Sequence, residues 1–181
     1  LDRFGQVEPK VLIAADGYVY ANKQHSRLEL LAEVVAGLPT LEAVIVHGEL
    51  SAAPNLTGVR EANGAIPVLD FEQAIGVGRL AVSQGRGIDP HRLYRFDQPL
   101  YILYSSGTTG VPKCIVHQAG GLLLKHVVEQ QLHCDIRPGD RVFYFTTCGW
   151  MMWNWLASAL ASGATIVLYD GSPFHPERDV M

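Results

Sequence analysis

Apolar and polar residues follow one another along this chain in blocks that read as strands and helices taken in turn. Val11 to Ala15 is a compact apolar run, and Asp16-Gly17 ahead of Tyr18-Val19-Tyr20 predicts a tight reversal at that point. The period then changes to that of a helix. Leu28, Leu31, Val34, Val35 and Leu38 fall on one face, Ser26 and Glu29 have the spacing of a capping box, and Gly37 and Pro39 mark the stop. Ala43-Val44-Ile45-Val46 reads as the next strand and completes a strand–helix–strand unit, the building block of parallel sheets.

Residues 48–66 turn polar and carry Pro54, Gly58 and Gly64, with Pro67 behind them, which predicts a surface excursion and then a short helix over Asp70 to Ile75. Gly76-Val77-Gly78-Arg79-Leu80-Ala81 spells a dinucleotide-binding pattern. Such a pattern has to follow a strand, whereas Phe71 to Ile75 looks helical, so Gly76 is read as a helix end and NAD binding is discarded. Ser83 to Pro99 is a loop-rich junction, and Tyr101-Ile102-Leu103-Tyr104 predicts a buried strand. Ile115-Val116-His117 looks extended, and Leu122, Leu123, Val127, Val128 and Leu132 predict a helix begun near Gly120-Gly121. Arg137-Pro138-Gly139-Asp140 has the residues of a type II turn, and Val142 to Phe145 reads as a buried strand. A helix from Met151 to Ser162 ends near Gly163, ahead of the strand Thr165 to Tyr169. The alternation predicts an α/β fold, part of a doubly wound, mainly parallel sheet.

Composition narrows the class of partner. The chain has 181 residues, 48% of them apolar, enough for a core, and a formal net charge of -4. That charge offers no electrostatic footprint for nucleic acid. Cys114, Cys134 and Cys148 are odd in number and widely spaced, which fits a reducing compartment and predicts a cytoplasmic protein. No secretory leader pattern opens the chain. The most apolar window, Trp150 to Ala161, falls short of the ~20 residues that span a bilayer, so no membrane partner is expected.

The chemistry concentrates in Ser105-Ser106-Gly107-Thr108-Thr109-Gly110-Val111-Pro112-Lys113, which leaves the apolar run at Tyr104. Glycines let backbone N–H groups turn inward, the hydroxyls of Ser105, Ser106, Thr108 and Thr109 add donors, and Lys113 adds a mobile positive charge. A polyphosphate is the guest these groups suit. The glycine spacing and Pro112 differ from a Walker A loop. Gly/Ser/Thr clusters also serve as plain connectors, a role that would not ask for the lysine.

A second candidate is the loop Thr146 to Trp150 at the end of a strand, where open α/β sheets bind ligands. Trp153 and Trp155 are expected in the core, with Trp150 as the exception. His117, His126 and His133 have no zinc-like spacing with the cysteines, so no metal ligand is assigned.

Ile102 through Lys113 resembles, position for position, the phosphate-loop signature of the adenylate-forming enzymes of the AMP-binding superfamily, which activate carboxylic acids. Pro99 to Pro173, with Lys113-Cys114-Ile115-Val116-His117 and Cys148-Gly149-Trp150-Met151-Met152-Trp153-Asn154-Trp155, is similar to the branch that activates acetoacetate. Residues 11–46 resemble that branch more loosely. The resemblance implies a ligase that joins acetoacetate to ATP as an acyl-adenylate, with Mg²⁺, and passes the acyl group to coenzyme A. It places Ser105, Ser106, Gly107, Thr108, Thr109, Gly110 and Lys113 on the ATP phosphates, and Trp150 near the acyl pocket. The family's Mg²⁺-binding acid, its ribose-binding aspartate and its C-terminal catalytic lysine have no counterpart here, the last lysine being Lys125. Residues 1–181 are therefore expected to be a truncated piece of one adenylation domain, without the C-terminal lid and with negligible turnover alone. Another short-chain acyl-CoA synthetase and a catalytically silent nucleotide-binding module are the other readings.

Overall fold

The structure, a computed structural model, describes residues 1–62, 64–89, 91–105 and 110–176. It divides into two compact units, Leu1–His91 with Gly171–Met181, and Arg92–Asp170.

In the first unit β1 (Val11–Ala15) is followed by β2 (Gly17–Tyr20), β3 (Lys23–Ser26), α1 (Leu28–Ala36), β4 (Ala43–His47), α2 (Thr57–Ala62), β5 (Val68–Asp70) and α3 (Phe71–Ser83). β1, β4 and β5 form a parallel sheet in that order, with Val11 opposite Ala43 and Val44 opposite Val68. Parallel neighbours need crossovers, and α1 and α2 supply them. Leu12, Val44, Val46 and Val68 pack from the strands against Leu31, Val35 and Leu38 from the α1 stripe, with Leu41, Leu56 and Val59 closing the cluster. The α/β class and the helical stripe thus agree with the hydrophobic pattern.

Several local expectations are corrected. Ser26 does not cap α1: it pairs with Gly17 in the β2–β3 hairpin, and Arg27 takes the cap position without a side-chain bond. The chain reverses at Ala21-Asn22, both left-handed at φ 50° and 63°, as a two-residue hairpin turn requires. Asp16 is instead buried, its carboxylate accepting the backbone N–H groups of Glu49 (2.8 Å), Leu50 (2.9 Å) and Ser51 (3.1 Å). The polar stretch 48–66 is not wholly a surface excursion, because Leu56 and Val59 of the α2 segment enter the core. α3 runs on through Gly76 and Gly78, where an added Cβ would meet nothing within 4 Å, and the chain first turns left-handed at Gly85 (φ 71°). Its N-terminus has a complete capping box: Gln73 N–H donates to Asp70 Oδ1 (2.7 Å) and Asp70 N–H to Gln73 Oε1 (3.1 Å).

In the second unit β6 (Pro99–Tyr104) pairs antiparallel with β7 (Cys114–Gln118), and α4 (Ala119–Val128) continues as a wider turn over Glu129–His133. β8 (Arg141–Phe143) and β9 (Thr165–Val167) pair parallel across α5 (Met151–Ser158), whose tighter continuation, Ala159–Ser162, stops at Gly163. The turn before β8 is as expected, with Gly139 at φ 91° and Asp140 N–H donating to Arg137 C=O. Gly163 C=O also belongs to this corner, accepting from Gly139 N–H at 2.9 Å, while its N–H donates to Leu160 C=O and its φ of 74° suits glycine.

The strands read as buried are only partly so: Tyr101, Leu103 and Tyr104 of β6 and Val142 of β8 are half-buried, while Ile102, Phe143 and the following Tyr144 and Phe145 are exposed. The α4 stripe is also corrected: Leu123 and Leu124 face outward, while His126 and Gln130 are buried.

Candidate functional site

The Gly/Ser/Thr segment lies between β6 and β7, which pair antiparallel, and the extended reading of Ile115 to His117 agrees with β7. The segment's base is closed from both sides, Ser105 N–H donating to Lys113 C=O (3.0 Å) and Lys113 N–H donating to Ser105 Oγ (3.1 Å). As an acceptor, the Ser105 hydroxyl keeps its own proton for a further partner. Gly110 has φ 133°, a conformation side chains disfavour, and Lys113 is exposed and forms no ion pair among the described residues. Ser106, Gly107, Thr108 and Thr109 lie outside the described residues.

Trp150 occupies the residue before α5, is 61% exposed, and is held through its backbone N–H on Thr147 C=O (3.0 Å). Residues after it form one side of an open cavity of about 530 Å³. Met151, Met152 and Trp155 of α5 face Leu122 and His126 of α4 across it, with His117 of β7 contributing. Lys125 and Glu129, joined in an ion pair, also border it. That pairing holds the Glu129 carboxyl below the ordinary carboxylate range.

Sequence reasoning missed the polar network behind this wall. Gln130 is fully buried; its Nε2 donates to Trp155 C=O (2.8 Å) and Ser158 Oγ (3.0 Å), and its Oε1 accepts from Ser162 Oγ (3.2 Å). Ser158 Oγ lies 2.7 Å from Trp155 C=O and 2.8 Å from His126 Nδ1. Burial lowers the His126 pKa, Glu129 opposes this and Lys125 and His117 add to it, and the net lowering favours the neutral imidazole. The partners lie 25 to 32 residues apart along the chain, a separation that no local periodicity registers.

A smaller concavity, about 220 Å³, opens in the first unit at the carboxyl ends of β4 and β5, where His47 meets Phe71 edge-on and pairs with Glu49. Asp70 lines it but is committed to its helix cap. No group of three His, Cys, Asp or Glu side chains could hold a metal among the described residues. No helix among them is long and apolar enough to cross a membrane.

A family model described as "AMP-binding enzyme" matches residues 2–181. An acetoacetyl-coenzyme A synthetase of Rhizobium meliloti is 47% identical over 184 residues, covering 100% of this chain and 26% of its own length. A malonamoyl-CoA synthetase of Penicillium aethiopicum is 44% identical over 179 residues, 97% of this chain and 23% of its own. The solved acetoacetyl-CoA synthetase of Streptomyces lividans superposes with a TM-score of 0.78 at 46% identity, over 99% of this chain and 25% of that one. The chain thus spans about a quarter of the length of the relatives it matches.

Proposed function

We propose, from the premise that this chain belongs to the AMP-binding enzyme family, that the full-length protein is an ATP-dependent ligase joining acetoacetate to coenzyme A. In the first half-reaction a carboxylate oxygen attacks the α-phosphorus of ATP and the bond to the bridging β-oxygen breaks, releasing pyrophosphate. In the second the thiol sulfur of coenzyme A attacks the acyl carbon, AMP leaves, and the thiol proton passes to solvent.

The β6–β7 hairpin loop is assigned to the β- and γ-phosphates. Its closed base supports this role: a loop tied at Ser105 and Lys113 presents donors without having to order its ends on binding. The donors of Ser105, Ser106, Gly107, Thr108, Thr109 and Gly110, with the Lys113 ammonium, would balance the charge that grows on departing pyrophosphate. ATP would arrive as its Mg²⁺ complex. Mg²⁺ is held largely by phosphate oxygens and water, and no carboxylate cluster among the described residues fits it, so no residue of this chain is assigned to the ion.

The acid is placed in the cavity between α4 and α5. β7 starts directly after Lys113, and His117 lies ~13 Å further along it, a span that a lysine side chain and a small acid bridge together. Trp150, exposed directly before Met151, is assigned to closing over the acid. The acyl groups named in the relatives, acetoacetyl and malonamoyl, both have a carbonyl on the β carbon, which supports a β-keto acid as substrate. A cytoplasmic setting is assigned from the odd number and wide spacing of Cys114, Cys134 and Cys148 in the sequence.

The observation that carries the reading is the family match over nearly the whole chain. Acid-dependent exchange of labelled pyrophosphate into ATP by the full-length protein tests it. Acetoacetate should support exchange better than acetate or butyrate, and Lys113→Ala should lower it by ~10²-fold or more. Exchange that Lys113→Ala leaves untouched overturns the phosphate-loop assignment, whereas preference for acetate overturns only the acyl assignment.

A further inference from the structure

We infer that His126 is a specificity-determining residue for the acyl substrate, donating a hydrogen bond from Nε2 to the carbonyl oxygen on the acid's β carbon. The inference rests on the ligase reading above and goes beyond it by naming the group that would tell a β-keto acid from a plain fatty acid of equal length.

The geometry around the ring carries it. His126 lines the α4–α5 cavity and is only 9% exposed. Its Nδ1 lies 2.8 Å from Ser158 Oγ, while its Nε2 has no protein partner among the described residues. No buried side-chain polar atom among them is sealed off without a bond, so Nε2 keeps accessible surface on a residue that lines the cavity.

The network behind the ring sets which nitrogen holds the proton. Ser158 has one hydroxyl proton and two candidate acceptors, Trp155 C=O at 2.7 Å and His126 Nδ1 at 2.8 Å. Gln130 Nε2 already donates to Trp155 C=O, so that carbonyl stays satisfied when Ser158 gives its proton to Nδ1. Nδ1 is then an acceptor and Nε2 carries hydrogen toward the cavity. Gln130 is itself fixed by full burial and by the Ser162 hydroxyl on its Oε1, so the relay is held from both ends.

Two imidazoles border the cavity, His117 from β7 and His126 from α4, and His126 is the one whose Nδ1 is engaged by a hydroxyl of the network behind it. Leu122, Met151, Met152 and Trp155 offer apolar surface to a methyl or methylene, and Lys125 and Glu129 are spent on each other. A ketone or amide carbonyl would satisfy Nε2–H. A methylene in its place would leave that donor dry and unpaired, a mismatch that sites built for hydrogen bonding reject strongly.

The test compares acetoacetate with butyrate, which replaces the β-carbonyl by CH₂, as acid substrates of the full-length protein in pyrophosphate exchange. His126→Met, whose flexible thioether fills the space without a donor, should lower the acetoacetate-to-butyrate ratio of kcat/KM by ~10-fold or more. The loss should fall on acetoacetate while butyrate holds or improves. His126→Gln, which keeps an N–H donor, should recover part of the ratio. Ser158→Ala, which leaves the ring but removes the group that sets its proton, should lower the ratio less than His126→Met. It also supplies the answer if the Met variant does not fold. Equal losses for both acids, or an unchanged ratio, overturn the inference. If the unmodified protein exchanges pyrophosphate with no short-chain acid, the ligase reading fails instead.

Discussion

The two units solve the same problem, how to hold helices against strands, with different materials. In the first, the interior is aliphatic: Leu12, Val44 and Val46 meet Leu31, Val35 and Leu38, and Asp16 is the buried acid, fully occupied by backbone N–H groups. In the second, Leu156, Ala159 and Ala164 are joined inside by His126, Gln130 and Ser162, and the interior is as much hydrogen bond as hydrocarbon. Aliphatic packing tolerates small adjustments and specifies little. A polar network holds only if every member is satisfied, and it fixes side-chain orientation in return. The unit with the β6–β7 loop and the larger of the two cavities described is the one built the second way.

Putting a charge where the first unit has none gives the largest effect. Val44→Asp, in the central strand with no exposure, should cost upwards of ~4 kcal/mol and render the first unit susceptible to limited proteolysis in the full-length protein. Survival of that unit would mean its interior is less closed than its burial implies. In the second unit Gln130→Leu keeps the volume but strips the donors on Trp155 C=O and Ser158 and the acceptor for Ser162; it should cost about 1–3 kcal/mol, read by thermal melting. A neutral outcome would make the network dispensable for stability and leave orientation as its whole role. Smaller still is Gly163→Ala, at φ 74° and with its new Cβ about 3.1 Å from Pro138; a cost near ~1–2 kcal/mol is expected in the same melt.

The smallest effect is a pH dependence peculiar to the second unit. Burial lowers the folded-state value of His126 below the 6.5 of an open chain, so the unfolded state takes up its proton first. The contribution of His126 is complete above 6.5 and is lost as pH falls from there toward the lower folded value. Melting curves of the wild type and His126→Met at pH 7.5 and pH 5.5 should show the variant losing less stability on acidification. Parallel losses would place the titrating group elsewhere.

Local patterns carried the fold a good distance. The β1–α1–β4 unit, the Arg137–Asp140 turn and the stop at Gly163 each depend on residues close in sequence, and each was legible there. α3 was cut short because its glycines look like punctuation; the structure leaves them in open space, where a helix tolerates them at ~1 kcal/mol each. Strand burial was overstated because Ile102, Phe143 and Phe145 announce a buried face whether or not the described residues cover it. The loop's residue types were readable, as was the position of Trp150. The cavity was not, since α5 comes from further along the chain to face the consecutive β7 and α4, and hydrophobic periodicity passes over a buried histidine and glutamine.

Asp16 directly follows β1, yet its carboxylate is occupied by amides that follow β4, more than thirty residues later. Its own N–H donates to His47 C=O, and its carbonyl accepts from Arg27 N–H at the entrance to α1. Strand end, helix entrance and loop therefore share one bonding centre, and none can open without disturbing the others. The amides of Glu49, Leu50 and Ser51 should exchange their hydrogens as a single cooperative group, so three adjacent loop positions report the closing of the whole parallel sheet.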